Sequence, residues 1–249
     1  MARYFLKLSY RGAPFHGWQI QPNAVSVQET VENAISTILR ARTPIVGAGR
    51  TDTAVNARVM YAHFDAVPLD LSRKDKILVS LNRLVGKDIA IHDIIAVPDN
   101  AHARFDAIER TYKYFISFEK TPFLYQLSWF CPNRLDIGIM NDAASILLDT
   151  EDFTSFAKLH SDALTNICRV TRAEWTLEND SMAVFTITAD RFLRNMVRAI
   201  VGTLVDVGRG KLSCNRFADI IRCKDRCAAG QSMPGEALFL WDIKYDFVL

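Results

Sequence analysis

The sequence has no apolar run long enough to cross a membrane. A spanning helix needs about 18 or more consecutive apolar residues, and no stretch of the 249 residues approaches that length. The N-terminal segment MARYFLKLSY alternates polar and apolar residues and lacks the apolar core of a signal peptide. We therefore expect a protein that does not associate with membranes and that works in the cytoplasm.

Cysteine is scarce and irregularly spaced. The chain has five cysteines, an odd number, which is typical of reduced thiols in a cytosolic protein rather than of a disulfide framework. Cys223 and Cys227 lie close together in CKDRC, but no second pair at zinc-binding spacing accompanies them. We therefore expect no metal site.

A strong excess of one charge is also missing. The 30 lysines and arginines nearly balance 28 acidic residues, for a net charge of +2. This balance excludes a polybasic tail but permits a local positive face. A phosphate-cradling GxxxxGK[ST] loop is absent too, which weakens the case for an enzyme acting on a small nucleoside or sugar.

Hydrophobic periodicity predicts helices and strands along the whole chain. Apolar residues at helical spacing predict helices over 26–41, 72–85, 138–149 and 192–207, the first with Ser26 and Glu29 as a capping box. Alternation predicts strands over 5–10, 58–67, 89–97, 110–118 and 237–247, and a hairpin from 167–178 and 181–190 that turns at Asn179-Asp180.

These elements predict an α+β protein with two similar halves. No linker rich in Pro, Gly or Ser separates them, and the join near residues 98–108 is short. We expect residues 1–105 and 106–249 to form the two halves, which share one core or sheet and meet at a cleft. The element order fits a duplicated ferredoxin-like plan.

The loop VGAGRTDTAV, residues 46–55, presents one carboxylate, Asp52. Gly47 and Gly49 would let the backbone approach another group closely, and Arg50 lies two residues before the acid. A neighbouring guanidinium keeps a carboxylate ionised, as a nucleophile or general base must be. Aspartate also favours turns, so the loop alone leaves a turn residue and an active-site acid both open.

A second group of arginines lies in RFLRNMVRAIVG. Arg191, Arg194 and Arg198 recur at spacings of three and four, which predicts that they share one face of a helix. Such a face can simply be solvated. Arg198, however, has apolar neighbours, and a charge beside an apolar stripe usually has a buried partner. Asp52 is the partner that we predict.

Two further segments combine aromatic and ionisable residues. In AHARFDAIERTYKYF, an aromatic ring beside arginines such as Arg104 suits stacking on an unpaired base, although Tyr112 and Tyr114 could equally be half-buried core residues. In FHGWQIQ, His16 could act as an acid–base group or could only form hydrogen bonds. The residues alone leave these alternatives open.

Several blocks together resemble the tRNA pseudouridine synthase A family, in that family's order and over nearly the whole chain. The blocks are FHGWQIQ followed by SVQETVENAI, GAGRTDTAVNA, HARFDAIERTYKY, DFTSFA, FLRNMVRAIVGTLVDVGRGK and MPGEALFLWDIKYD. The resemblance implies a cofactor-free isomerase that detaches uracil from its ribose, rotates it and rejoins it through carbon. The implied substrate is tRNA, at positions 38–40 of the anticodon stem-loop.

The resemblance also implies a fold and roles for single residues. The family's fold is two ferredoxin-like halves that form one extended, mainly antiparallel sheet flanked by helices, with a central catalytic cleft, and its members act as homodimers. Asp52 matches the catalytic aspartate. Arg50 matches the loop arginine that helps to displace the target base. Tyr112 matches the active-site tyrosine, and Arg198 the helix arginine that pairs with the aspartate.

The catalytic loop departs from the family pattern, which usually continues GRTDAGVHA. Thr53, Ala54 and Asn56 stand here in place of alanine, glycine and histidine. If the position of Ala54 needs a positive φ, alanine will be strained there. The departures leave open a tRNA-binding protein with impaired catalysis. A small-molecule enzyme that uses Asp52 is a further alternative, and its affinity for tRNA would be weak and insensitive to salt.

Overall fold

The computed structural model describes residues 1–159 and 164–247, and it divides into two compact units. Unit 1 comprises residues 1–108 and 240–249, and unit 2 comprises Glu109–Phe239. No helix in the described residues is both long enough and apolar enough to cross a membrane. Whether the units act as separate domains, divided at residue 105 as the sequence suggested, stays a prediction.

Unit 1 has the ferredoxin-like order of elements. The elements are β1 (Ala2–Tyr10), α1 (Val27–Leu39), β2 (Val46–Gly47), β3 (Asn56–Ala66), α2 (Lys74–Leu84) and β4 (Ile89–Val97). β1 lies between β3 and β4 and is antiparallel to both, and β2 pairs with β3. On β1 the side chains of Tyr4, Leu6 and Leu8 alternate onto one buried face.

Unit 2 repeats this plan. Its elements are β5 (Glu109–Ser117), β6 (Trp129–Phe130), α3 (Ile137–Ser145), β7 (Val170–Asn179), β8 (Met182–Ala189), α4 (Met196–Gly208) and α5 (Cys214–Cys223). β8 lies between β5 and β7 and is antiparallel to both, whereas the short β6 is parallel to β5. The predicted α+β class, with ferredoxin-like halves and mainly antiparallel strands, is confirmed.

The chain ends with β9 (Leu238–Lys244), which passes from unit 2 into unit 1 at residue 240. The structure groups residues 240–247 with unit 1. Packing accounts for this grouping, because the rings of Tyr245 and Phe247 lie 5.4 Å and 5.8 Å from that of Phe5 on β1. The Tyr245 hydroxyl also donates a hydrogen bond to the carbonyl of Ala103.

The start of α1 agrees with the sequence. Ser26 is its N-cap, and the Ser26 hydroxyl accepts a hydrogen bond from the Glu29 amide at 3.2 Å. This satisfies one of the amides that a helix leaves unpaired in its first turn. The predicted hairpin is also present, but it turns at Asp180-Ser181 and not at Asn179-Asp180, because Asn179 still pairs with Met182.

The start of α4 differs from the prediction. The helix begins at Met196 and not at Phe192, because Asn195 adopts a left-handed conformation with φ of 68°. Arg191 and Arg194 therefore precede the helix, and the prediction that they share a helix face with Arg198 is wrong. Only Arg198 lies on α4. A further helix, α5, was not predicted from the sequence, and the Ser213 hydroxyl caps its first turn by accepting from the Arg216 amide.

Candidate active site

Asp52 lies in the loop between β2 and β3, in unit 1. Its side chain is half-buried, and its carbonyl accepts a hydrogen bond from the Val55 amide at 3.2 Å, which closes a tight turn. Ala54 within this turn has a φ of 64°. The position of Ala54 therefore does need a positive φ, and alanine adopts a conformation that glycine would take without strain.

A second loop, residues 11–18, packs against the Asp52 turn and holds it. The Trp18 amide donates to the carbonyl of Thr51 at 3.2 Å, and the hydroxyls of Tyr10 and Thr51 are 2.9 Å apart. Thr51 is thus fixed through both its backbone and its side chain. Because Thr51 immediately precedes Asp52, these contacts position the backbone from which the Asp52 side chain extends.

Asn56, one of the departures from the family pattern, has a structural role in this contact. Its side chain is buried, and its Oδ1 accepts a hydrogen bond from the Gly12 amide at 2.8 Å. Gly12 has no room for a side chain, because a Cβ there would lie 2.2 Å from the carbonyl oxygen of Val55. The two loops therefore meet backbone to backbone, with Asn56 satisfying a buried amide.

The two glycines before Asp52 have different surroundings. A Cβ on Gly47 would lie 2.5 Å from the indole of the buried Trp18, so this position must remain small. A Cβ on Gly49 would meet nothing within 4 Å. The close approach that the sequence suggested at Gly47 is thus made by Trp18. Nothing in the space around Gly49 requires glycine there.

The arginines near Asp52 are exposed. Arg50 lies in the loop itself. Arg58 follows on β3, and its guanidinium lies 4.5 Å from the centre of the Trp241 ring, as in a cation–π contact. Of these two arginines, Arg50 lies within the loop itself, two residues before the acid.

Tyr112 and Tyr114 point to the same side of β5 in unit 2, but their surroundings differ. Tyr112 is half-buried, and its ring meets that of Phe192 edge-on at 5.0 Å. Tyr114 is fully buried, and its hydroxyl donates to the carbonyl of Pro234 at 3.2 Å. Burial raises the pKa of Tyr114, with Arg198 opposing and Glu236 reinforcing the shift. Tyr114 is therefore a neutral core residue.

Arg198 is half-buried on α4 and is held by the segment that precedes β9. Its Nε donates a hydrogen bond to the carbonyl of Met233, and the Met233 amide donates to the carbonyl of Arg198 at 3.1 Å. These reciprocal bonds fix the guanidinium at one end. A charged donor fixed in this way is oriented before any substrate arrives.

The segment 230–233 reaches Arg198 because glycines let it lie against α4. A Cβ on Gly202 would lie 1.8 Å from the carbonyl oxygen of Gln231, and one on Gly230 would lie 2.9 Å from the Thr203 amide nitrogen. The Gly230 amide also donates to the Thr203 hydroxyl at 2.9 Å. Sequence reasoning missed this contact. A glycine inside the apolar stripe of α4 was the available signal.

The structure thus places Arg50 and Asp52 on one loop of unit 1, and Tyr112 on β5 and Arg198 on α4 of unit 2. The pairing of Asp52 with Arg198 stays a prediction, as does an acid–base role for His16. His16 is exposed, and its backbone binds Val25 and Gln21. The described residues contain no group of three or more His, Cys, Asp or Glu that could hold a metal ion.

Comparison with known proteins relates the chain to enzymes that modify tRNA. A family model described as tRNA pseudouridine synthase matches residues 143–246. Proteins named tRNA pseudouridine synthase A resemble the chain along its length. The one from Parabacteroides distasonis is 53% identical over 248 residues, which are 98% of this chain and 96% of the relative.

Two further relatives carry the same name. The protein from Bacteroides fragilis is 54% identical over 245 residues, which are 98% of this chain and 96% of the relative. The protein from Bacillus subtilis is 37% identical over 243 residues, which are 96% of this chain and 97% of the relative. With identities this high over nearly the full length of both chains, this chain belongs to the tRNA pseudouridine synthase A family.

Proposed function

We propose that this protein converts uridine to pseudouridine in the anticodon stem-loop of tRNA, with Asp52 as the catalytic group. Membership of the family makes the chain an enzyme, an isomerase that acts on uridines of tRNA. The proposal adds the region of the tRNA and the residues that act. The single observation that carries it is the position of Asp52, half-buried on a turn that Trp18 and Tyr10 fix through the backbone and the side chain of Thr51.

The reaction requires no net oxidation or reduction. The bond between ribose C1′ and uracil N1 breaks, and a bond between C1′ and uracil C5 forms. C5 loses a proton, and N1 gains one. An ionised carboxylate can assist by attacking the sugar, by attacking the ring or by removing a ribose proton, and each of these routes needs only one acid. Asp52 supplies that acid.

The rigid setting of the turn suits this chemistry. A catalytic group held in a reactive geometry saves the entropy of bringing the reactants together. The bonds from Tyr10 and Trp18 to Thr51, and from Gly12 to Asn56, position the backbone on both sides of Asp52. The turn around Asp52 is thus set by the fold before substrate binds.

We assign substrate-binding roles to Arg50, Tyr112 and Arg198. The target uridine must leave the base stack, at a cost of roughly a few kcal/mol, and Arg50 occupies the space that it vacates. Tyr112, held edge-on by Phe192, presents an aromatic ring to the uracil. Arg198, anchored through Met233, is the residue that we assign as the partner of Asp52. We also propose a homodimer that binds tRNA in the cytoplasm.

The test compares wild type with Asp52→Asn on unmodified tRNA transcripts, with pseudouridine mapped by carbodiimide treatment and primer extension. Asp75→Asn, at an exposed position on α2, is the matched control. We expect wild type and the control to modify the anticodon arm, and Asp52→Asn to bind tRNA without modifying it. If wild type binds tRNA but forms no pseudouridine, the chain is instead a binding protein with impaired catalysis.

A further inference from the structure

We propose that residues 101–106, here called the Phe105 turn, form a stacking platform for an unpaired base of the RNA substrate. The proposal deepens the proposed function, because it names a contact with RNA outside the Asp52 loop. Phe105 presents the ring, and Arg104 presents the charge. Four observations in unit 1 support the inference: the Phe105 ring is exposed, hydrogen bonds fix the backbone of the turn, the turn is bound to the core, and His102 and Arg104 lie against the ring.

The Phe105 ring is unusually exposed for a large apolar side chain. Its exposed fraction is 73%, whereas Phe247, the next most exposed aromatic residue in the described part of unit 1, is 39% exposed. Phenylalanine is normally among the more buried residue types. An aromatic ring left in water therefore invites a functional explanation when the backbone beneath it is well fixed.

Hydrogen bonds within the turn fix that backbone. The His102 amide donates to the Asp106 carboxylate at 2.7 Å, and the Asp106 amide donates to the His102 carbonyl at 3.1 Å. Nδ1 of His102 accepts from the amides of Arg104 and Phe105 at 3.1 Å and 3.3 Å. The side chains of His102 and Asp106 thus both accept hydrogen bonds from backbone amides of the turn.

The turn is also anchored to the core of unit 1. The Ala103 amide donates to Nδ1 of the buried His63 at 3.1 Å, and the Tyr245 hydroxyl donates to the Ala103 carbonyl. Arg3 donates to the Ala101 carbonyl at 2.9 Å. Because the turn is ordered before any ligand binds, a partner would lose little free energy in ordering the ring.

The groups around the ring favour a flat ligand. The His102 ring lies 4.3 Å from Phe105 at an angle of 34°, and desolvation lowers the pKa of His102. The guanidinium of Arg104 lies 5.6 Å from the centre of the same ring. Sites for unpaired nucleotides usually contain aromatic rings that stack on the bases and arginines that contact the phosphate backbone.

A protein partner fits this surface less well. A stable protein interface buries about 800 Å² on each side, whereas one aromatic side chain offers only about 200 Å². The neighbouring exposed apolar residue, Ile108, is 37% exposed. A single ring flanked by an arginine suits one base better than it suits a second copy of this chain.

The first test measures RNA binding by variants that separate stacking from apolar contact. Phe105→Trp keeps an aromatic face, whereas Phe105→Leu keeps only an apolar side chain. Each is made in the Asp52→Asn background so that turnover does not interfere, and binding to a labelled, unmodified anticodon stem-loop is followed by fluorescence anisotropy. Phe123→Leu, at a ring that is 88% exposed in unit 2, is the matched control.

We expect Phe105→Leu to weaken binding by roughly 5- to 150-fold, the range that corresponds to loss of one stacked base. Phe105→Trp and Phe123→Leu should bind within about twofold of the parent. Arg104→Gln should weaken binding and lower the dependence of log affinity on log salt by about 0.7, as expected for one lost phosphate contact to a single strand. Equal binding by Phe105→Leu and the parent would overturn the proposal.

A second measurement locates the contact directly. RNA with 5-bromouridine at unpaired positions should crosslink, under ultraviolet light, to the tryptic peptide 105–110 of the otherwise wild-type chain. Sedimentation of Phe105→Leu tests the rival, since a loss of self-association with unchanged RNA affinity would assign the ring to a protein contact. Pseudouridine formation by wild type is scored separately, so failure of the proposed function and failure of the stacking platform give different results.

Discussion

The indole of Trp18 covers Gly47 so closely that a Cβ on residue 47 would lie 2.5 Å from the ring. Trp18 is buried, and its amide binds the carbonyl of Thr51. Trp18 thus contacts the chain at Gly47, five residues before Asp52, and at Thr51, directly before it. The position of the carboxylate is therefore set by packing over 29 residues of sequence separation as well as by the local turn.

Gly47→Ala should disturb this packing, because the new methyl group would overlap a ring that cannot move freely in a packed interior. We expect a loss of roughly 1–3 kcal/mol in the free energy of unfolding, together with slower pseudouridine formation. Gly49→Ala is the control, because a Cβ there meets nothing within 4 Å. Urea unfolding and single-turnover assays measure the two effects. Equal behaviour of the two variants would show that the contact is unimportant.

Ala54→Gly should stabilise the protein, because glycine adopts a φ of 64° without the strain that a Cβ brings. Greater freedom of glycine in the unfolded chain offsets part of the gain, so we expect a net increase of about 0.5–1 kcal/mol. Ala218→Gly, inside α5, should instead lower stability by about 1 kcal/mol. Thermal unfolding of the two variants measures both changes in stability. A loss of stability in Ala54→Gly would show that Ala54 is not strained at its positive φ.

Features set by nearby residues were the ones that the sequence predicted well. The cap of α1 at Ser26 and the alternation of β1 each depend on a few neighbouring positions. The start of α4 failed for a related reason. Apolar spacing continues upstream of Met196, but the left-handed Asn195 ends the helical backbone there, and spacing alone carries no sign of that conformation.

Long-range packing was not predictable in the same way. The fit of Trp18 on Gly47, and of Gln231 on Gly202, joins residues that lie 29 apart along the chain in each case. In each case the glycine is the only feature of the sequence that indicates the contact. Glycine also serves turns and caps, so its presence does not say which partner fills the space. The roles of the candidate site residues stay predictions, and the contacts that orient these residues were not predicted.

The pairing of Asp52 with Arg198 can be tested by a double-mutant cycle on stability. Asp52→Asn, Arg198→Gln and the double variant are unfolded in urea at neutral pH. An ion pair predicts a coupling of about 0.5–3 kcal/mol. A matched cycle with Asp52→Asn and Arg194→Gln, an exposed residue before α4, should be additive. Additivity in both cycles would remove Arg198 as the partner of the acid.

The stability of unit 1 should fall in mild acid because of His63. Burial lowers the pKa of His63 to about 4, and the charges of Arg3 and His102 add to the shift. In the unfolded chain the pKa is 6.5, so the unfolded state binds more protons as the pH falls. Stability from this group is therefore complete above pH 6.5 and decreases from there to about pH 4, by up to about 3 kcal/mol.

His63→Asn removes the titration while keeping an acceptor for the Ala103 amide, which Nδ1 of His63 binds at 3.1 Å. We expect this variant to be less stable at pH 7, because side-chain volume is lost, but to change less than wild type between pH 7 and pH 5. His92→Asn, at an exposed position on β4, is the control and should follow wild type.

Protonation of His63 would also break its bond to Ala103 in the Phe105 turn. Hydrogen exchange at Ala103 should therefore lose protection between pH 6.5 and pH 4 in wild type, after correction for the intrinsic pH dependence of exchange. Unchanged protection there would show that His63 does not control the turn.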